Sequence, residues 1–298
     1  MYDVVIIGAG PAGLSAGIYA CRGGLKVAII ENKSVGGQAQ TAADIQNYPG
    51  IKSTSGFDLC YAMMNQCMEF GAEFVFDSIA SVSLIGEMKA IALASGKTVE
   101  AKNVIIASGA NARKLGVPNE SKFIGKGVSY CATCDGAFFK GKTVAVIGGG
   151  NTAAEDALYL EKLAKKVYMV HRRDALRADD ILVKRLEKSN VEIVWDSVVE
   201  NLGGEDKITQ LTLKNVKTNA LTTISVDGVF VAIGQTPNSQ GFENISLSSG
   251  GYIIADENMH TNIDGVYAVG DVRKKSLRQV VTACADGAIA ANSIVNGI

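Results

Sequence analysis

The stretch DVVIIGAGPAGLSAGIYACRGGLKVAIIE (residues 3–31) returns in altered form as KTVAVIGGGNTAAEDALYLEKLAKKVYMVHRR (residues 142–173). Each opens on a short, apolar, β-branched run, Val4–Ile7 or Val144–Ile147, as expected of a strand buried on both faces of a parallel sheet. Each run meets glycine at once, continues as a helical segment and ends in a second apolar strand. Gly8 and Glu31 lie 23 residues apart, as do Gly148 and His171. Two separate βαβ dinucleotide-binding units in one α/β chain account for the echo.

Working outward, Asp58–Phe70 carries apolar residues at 59, 62, 63, 67 and 70, a helical stripe closed by Gly71. Cys67 lies on that stripe; Cys60 lies off it, where it could be exposed. Met88–Ala101 alternates around Ser95-Gly96 and reads as a hairpin. The strand-and-turn runs 103–113, 228–238 and 265–271 resemble one another, and an uncharged helical run follows from Val280. The economical parsing is a discontinuous first domain, residues 1–112 and 244–298, with residues 113–243 inserted as the second.

Composition narrows the class. Of 298 residues, 47% are hydrophobic and 20% charged, which fits a globular chain and not a disordered one. Lys plus Arg total 29 against 30 Asp plus Glu, so no basic excess exists to cover phosphates, and no nucleic-acid partner is expected. Six cysteines are too few for a stapled secreted scaffold. The start lacks a basic leader region, and Pro11 with four glycines interrupts the uncharged run Val4–Cys21. The expectation is a cytoplasmic protein with no membrane span.

Three groups of residues carry chemistry. In the first turn, Gly8 allows the tight bend, Gly10 lets backbone approach a pyrophosphate, and Gly13 permits close helix–sheet packing. The helix start beyond Pro11 and Ala12 offers free N–H groups, and Glu31 can accept from a ribose 2′-OH. The second turn has Gly148, Gly150 and, in third place, Ala153. Where an acid would sit it gives His171-Arg172-Arg173, with Arg177 a turn later. Guanidinium forks there suit a 2′-phosphate, whereas a carboxylate would repel it; a merely solvated basic cluster is the plainer alternative. The third group is Cys131-Ala-Thr-Cys134-Asp135, a spacing that can close a short disulfide. Zinc competes for this motif, but the chain offers only His171 and His260 and no second C-x2-C among Cys21, Cys60, Cys67 and Cys284. Redox use is the stronger reading, and no metal is expected.

These motifs together resemble the low-molecular-weight, bacterial-type thioredoxin reductases over nearly the whole chain. The resemblance rests on GAGPAG (8–13), GGQ (36–38), NYPG (47–50), CATCDG (131–136), GGGNTAAEDALYL (148–160), HRRDALRA (171–178), GVYAVGD (265–271) and RQVV (278–281). It implies two Rossmann-like domains, an NADPH domain inserted into a split FAD domain. FAD would be held by Gly8, Gly10, Pro11, Ala12, Gly13, Glu31, Gly36, Gly37, Gln38 and Asn47. Gly270 would also contact the cofactor, Asp271 would bind the ribityl chain, and Arg278, Gln279 and Val280 would sit at the pyrimidine edge. NADPH would take Gly148, Gly150, Asn151, Thr152, Ala153, His171, Arg172, Arg173 and Arg177. Asn151 stands where the family often has an acid. Cys134 would face the flavin, Cys131 would attack the disulfide of thioredoxin, and Asp135 would move protons between them. The resemblance further implies a homodimer and rotation of the inserted domain between half-reactions. The stretch Ala283–Asp286 is read as lying away from the redox core. Relatives that take electrons from ferredoxin, or donate to another small dithiol protein, form the alternative reading; a catalytically silent nucleotide-sensing or zinc-binding protein is a third.

Overall fold

The computed structural model describes residues 1–42 and 44–297. The chain enters through β1 (Tyr2–Ile7), α1 (Pro11–Arg22), β2 (Val27–Glu31), α2 (Gly56–Glu69) and β3 (Glu73–Phe76). A meander of β4 (Ile79–Ser83), β5 (Lys89–Leu93) and β6 (Thr98–Ile106) leads to β7 (Ala110–Ala112). The middle of the chain supplies α3 (Glu120–Phe123), β8 (Val128–Ser129), α4 (Ala132–Asp135), β9 (Thr143–Ile147), α5 (Asn151–Glu161), β10 (Lys166–Val170), α6 (Asp180–Glu187) and β11 (Glu192–Val194). Five further strands follow: β12 (Ser197–Gly204), β13 (Ile208–Asn215), β14 (Leu221–Ser225), β15 (Gly228–Val231) and β16 (Gln235–Pro237). The chain then returns through β17 (Val266–Ala268) and α7 (Val280–Asn296).

Two compact units result. The first comprises Met1–Asn111 and the stretch from Thr236 onward; the second is Ala112–Gln235. The return crossing thus comes eight residues before the expected 243/244 boundary. Hydrogen bonds explain why: Asn238 N–H donates to the Gly109 carbonyl (2.9 Å), and Ser108 Oγ donates to the Asn238 carbonyl (2.7 Å). Phe242 packs into the first unit's core, so residues 238–242 are fixed there.

The first unit is built on the sheet β3-β2-β1-β6-β5-β4. Its β1, β2, β3 and β6 run parallel, and β17 adds to the far half of β6, beyond the antiparallel β5. The alternation of β1 is resolved by the two cores. Val4 and Ile6 face α1, α2 and α7, while Val5 and Ile7 face Ile91, Leu93, Ile253 and Val272. α2 is capped by Ser55, whose Oγ accepts from Asp58 N–H at 3.0 Å. The second unit repeats the plan with an all-parallel sheet, β11-β10-β9-β15-β8. Val144 and Val146 pack on α5 and α6; Ala145 and Ile147 pack toward the antiparallel sheet β12-β13-β14 through Leu202, Leu211 and Leu213.

The same device ends the first strand of each unit. Gly8 lies in the left-handed region (φ +105°), and a Cβ there would sit 2.5 Å from the Ala107 carbonyl oxygen. At Gly148 it would sit 2.4 Å from the Ala232 carbonyl oxygen. Each turn is pressed against the strand next door, which aims the following helix N-terminus at the carboxyl edge of its sheet. Among the described residues no helix is long and apolar enough to cross a membrane.

Candidate active site

In the first unit, α1 begins at Gly10 with no side chain capping it and no acid in its first turn. The N–H groups of Ala12 and Gly13 therefore lack intrahelical partners. Nothing lies within 4 Å of a Cβ built on Gly10, whereas one on Gly13 would be 2.0 Å from the Gly8 carbonyl oxygen. The two glycines divide the labour, one leaving an open face and the other letting the turn close on its helix. Glu31, at the end of β2, accepts from Ala9 N–H and Lys33 N–H, both at 2.9 Å. Each oxygen retains a lone pair for a ribose hydroxyl. Gly36 N–H donates to the Ala9 carbonyl (2.8 Å), which draws the 36–38 loop to the turn. Gln38 Nε2 donates to Asn111 Oδ1 (3.1 Å).

The chain's return completes this unit. Asn47 Nδ2 donates to Gln279 Oε1 (3.0 Å), joining two residues 232 positions apart. Gln279 caps α7 in a capping box with Thr282, and Val280 is the first helical residue. The Arg278 guanidinium lies 4.2 Å from the Tyr252 ring centroid, and its buried Nε has no partner. Burial pushes the Asp271 carboxyl up, while Lys275 and Arg278 pull it back. An open glycine face, an uncapped helix start and an orphaned Nε together fit a dinucleotide with a polar ring edge.

One residue in this arrangement departs from the sequence reading. Asp286, placed by that reading away from the redox core, is buried under the Gly270-Asp271 turn. Its Oδ2 accepts from Gly270 N–H (2.9 Å) and Lys275 Nζ (2.7 Å), and its Oδ1 from Arg273 Nη1 (3.0 Å). Gly270 needs its left-handed φ of +72°, and a Cβ there would meet Ala12 Cβ at 2.8 Å. Asp286 thus locks Asp271 beside the start of α1. In an Asp286→Ala variant, two cations lose a buried partner, a change worth roughly 3–5 kcal/mol. The purified variant is expected to carry far less flavin per chain than wild type, read from its visible absorbance; equal loading would remove the locking role.

In the second unit, Gly150 begins α5 without a capping side chain, and nothing lies within 4 Å of a Cβ built on it. Ala153 is fully buried beneath the turn and Thr152 is exposed. Asn151 is engaged sideways: its Nδ2 donates to Asp179 Oδ2, and its Oδ1 accepts from Asp179 N–H, both at 2.8 Å. His171 is buried as well. Its Nε2 lies 3.0 Å from the Ala175 carbonyl oxygen, and a Cβ on Gly149 would run into its ring. Burial pushes its imidazole below the ordinary value, helped by the three nearby arginines. The imidazole therefore buttresses the turn from beneath. Arg172, Arg173 and Arg177 are exposed, and none forms an ion pair with a described residue. The neighbouring acid, Asp174, is instead held by Lys217 Nζ (3.0 Å), which also binds Asp196 (2.9 Å).

The dithiol lies in the same unit, where the sulfurs of Cys131 and Cys134 are bonded to each other. Cys131, half-buried, is the N-cap of α4, and its Sγ accepts from Cys134 N–H (3.2 Å). Cys134 is exposed. Ser129 Oγ donates to Asp135 Oδ2 (2.5 Å), and burial pushes the Asp135 carboxyl up, a rise this bond partly offsets. No described group of three His, Cys, Asp or Glu side chains is placed to hold a metal. Cys60 is buried against Gly36, not exposed: it lies where α2 meets the 36–38 loop. Burial pushes the Cys60 and Cys67 thiols up to about 11 and about 12, which leaves both inert at neutral pH.

Residues 2–287 match the family model described as pyridine nucleotide-disulphide oxidoreductase. The chain belongs to that family. Among similar family members, the thioredoxin reductase of Peptoclostridium acidaminophilum is 47% identical, the alignment covering 98% of this chain and 95% of the relative. That of Treponema pallidum (strain Nichols) is 43% identical over 100% of this chain and 97% of the relative. The crystal structure of thioredoxin reductase from Streptococcus pyogenes MGAS5005 superposes with a TM-score of 0.94 at 44% identity. It covers 99% of this chain and 97% of that one. The two-unit Rossmann-like architecture is thus that of the family's pyridine nucleotide–disulphide oxidoreductases.

Proposed function

We propose that the chain is an NADPH-dependent thioredoxin reductase that uses FAD to pass two electrons to the Cys131–Cys134 disulfide and thence to thioredoxin. The observation that carries this reading is the closed Cys131–Cys134 bridge, next to a half-buried Asp135, in the unit whose glycine turn is flanked by three unpaired arginines. The first unit is assigned to FAD and the second to NADPH. When bound, FAD supplies a two-electron relay between hydride and thiol chemistry.

The chain's own residues do the rest. Glu31 orients the ribose; the start of α1 faces the pyrophosphate; Arg278 and Gln279 hold the polar ring edge. Arg172, Arg173 and Arg177 select the 2′-phosphate. After reduction, the Cys131 thiolate attacks the thioredoxin disulfide and forms a mixed disulfide, and Asp135 gives a proton to the departing thiolate. Cys134 then displaces the second sulfur, which restores the Cys131–Cys134 bond. Over the cycle NADPH, one proton and the thioredoxin disulfide become NADP⁺ and the thioredoxin dithiol. Nicotinamide and dithiol are both assigned to the second unit, so that unit presents them to the flavin in turn.

We also read the protein as a cytoplasmic homodimer. Phe57, Tyr61 and Met68 are exposed on α2 at spacings of four and seven, with the two rings stacked at 5.9 Å, which suits burial against a second copy. Sedimentation velocity of the flavin-loaded protein reads this directly, and a monomer would remove it.

Anaerobic titration with NADPH tests the central reading. The flavin absorbance is expected to bleach at near-stoichiometric NADPH, with NADH much poorer. Flavin that dithionite bleaches and NADPH does not would place the donor elsewhere, with a ferredoxin the first candidate.

A further inference from the structure

The side chain best placed to control proton movement at the dithiol is Ser129, which no motif singles out. It is 6% exposed, at the end of β8, and its hydroxyl stands between both parts of the redox motif. Ser129 Oγ donates to Asp135 Oδ2 at 2.5 Å, accepts from Cys131 N–H at 3.0 Å, and lies 3.3 Å from the Cys131 carbonyl oxygen. A hydroxyl has one proton and two lone pairs. The Cys131 N–H occupies one lone pair permanently. The proton has two possible acceptors, the Asp135 carboxylate and the Cys131 carbonyl, and the second lone pair faces whichever group then donates.

We propose that Ser129 is the positioning residue for Asp135, holding the carboxyl in place through both of its protonation states. While Asp135 is ionised, the hydroxyl donates to it. When Asp135 carries a proton, the hydroxyl turns to the Cys131 carbonyl and accepts from the acid across the same contact. No heavy atom moves, and the proton that Asp135 gives to a departing thiolate is replaced from water after the thiol dissociates. Because Ser129 also bonds the Cys131 amide, the carboxyl keeps its place relative to the first cysteine's backbone whether the sulfurs are bonded or free.

The surroundings leave this role to Ser129. Burial disfavours the ionised carboxylate, and the Ser129 bond is what opposes that effect. From the packed helix α5, the titratable groups are Glu155, Asp156, Tyr159 and Glu161, with Tyr159 against Gly136 and Glu161 accepting from Asn190. None of the four is hydrogen-bonded or ion-paired to Asp135, and burial with Glu155 nearby pushes Asp156 itself up to about 7. Lys140 and Lys142, beyond the Gly136–Phe139 turn, form no ion pair with Asp135 either.

The inference rests on the assignment of Asp135 as the acid, and the test separates the two. NADPH-reduced, FAD-loaded enzyme would be mixed with thioredoxin disulfide in single turnovers across pH, for wild type, Ser129→Ala, Ser129→Thr and Asp135→Asn. In wild type the rate falls as pH rises through the Asp135 titration. Losing one charge-assisted bond to the ionised form is expected to move that limb upward by about one to two pH units. The rate on the plateau should drop about tenfold, since the carboxyl is no longer held. Threonine keeps the hydroxyl and should return the limb to the wild-type position. Flavin bleaching by NADPH should be the same in wild type, Ser129→Ala and Ser129→Thr. A limb in Ser129→Ala that coincides with wild type, while Asp135→Asn abolishes it, would overturn the role of Ser129. A limb that persists in Asp135→Asn would overturn the acid assignment beneath it. Should Ser129→Ala not retain flavin, Ser129→Gly provides a second donor-free variant for the same comparison.

Discussion

A Cys131→Ser variant is expected to bleach normally with NADPH while its turnover of thioredoxin falls by on the order of a thousandfold or more. Two assignments make the effect this large. Cys131 is proposed as the sulfur that attacks the substrate disulfide, and an alcohol at that position is a poor nucleophile at neutral pH. Hydride acceptance, by contrast, involves the first unit's flavin and the second unit's glycine turn, and neither set includes Cys131. One contact supports the proposed choice between the two sulfurs. Cys134 N–H donates to Cys131 Sγ at 3.2 Å. The matching Cys134→Ser variant should instead trap thioredoxin as a stable mixed disulfide, visible as a mass increase on non-reducing gels. Continued turnover by Cys131→Ser would overturn the dithiol assignment, and a mixed disulfide formed by Cys131→Ser in place of Cys134→Ser would show that the order of the two cysteines is reversed.

The second large effect concerns the choice of nucleotide. Removing Arg172 and Arg173 together should lower the preference for NADPH over NADH by two to four decades. Each charge-assisted pair is worth roughly 1.5–3 kcal/mol, and a decade costs about 1.4. The loop itself should survive the change. Its backbone is pinned independently, by Asp196 N–H on the Arg173 carbonyl (3.2 Å) and by Arg177 N–H on the Gly149 carbonyl (2.7 Å). His171 supports it from below, and Lys217 keeps Asp174 engaged. Activity with NADH should therefore stay near wild type, and the ratio of kcat/KM values reads the loss of NADPH selectively. An unchanged ratio in the double variant would mean that these arginines are only a solvated surface.

The glycine turns were legible because geometry leaves few ways to write them. A strand that must bend under its neighbour's carbonyl, as at Gly8 and Gly148, tolerates no Cβ, so the residue type betrays the backbone. The hairpin around Ser95-Gly96 and the apolar strands were legible for similar local reasons. What escaped depends on pairs brought together only by folding. Asp286 reads as a lone acid in a small-residue helix, and nothing local announces that Gly270, Arg273 and Lys275 converge on it. Ser129 is a common residue whose value lies in two partners, the N-cap Cys131 and Asp135 at the far end of α4. His171 was read as a nucleotide contact because it follows the second strand; its position beneath Gly149 appears only once the 171–177 loop is seen to fold back. The antiparallel strands between Ser197 and Ser225 carry no motif at all and serve as packing for the parallel sheet's far face. Cys60 illustrates the limit of a helical stripe, since α2 buries a second flank wherever a loop crosses it.

The crossing of α1 with α7 has a consequence for how the protein is made. The helices meet so closely that a Cβ on Gly287 would stand 2.1 Å from the Ala12 carbonyl oxygen, and Ser15 Oγ donates to the Cys284 carbonyl (2.7 Å). On the ribosome, the second unit emerges as one uninterrupted segment and can fold while synthesis continues. The first unit cannot, because β17 and α7 are translated after the second unit and its sheet and helix layer wait for them. Asp271, Arg278, Gln279 and the Asp286 lock arrive in that same returning segment. On the proposed assignment, flavin can then be retained only by chains translated through α7, so yellow colour counts chains that have passed that point.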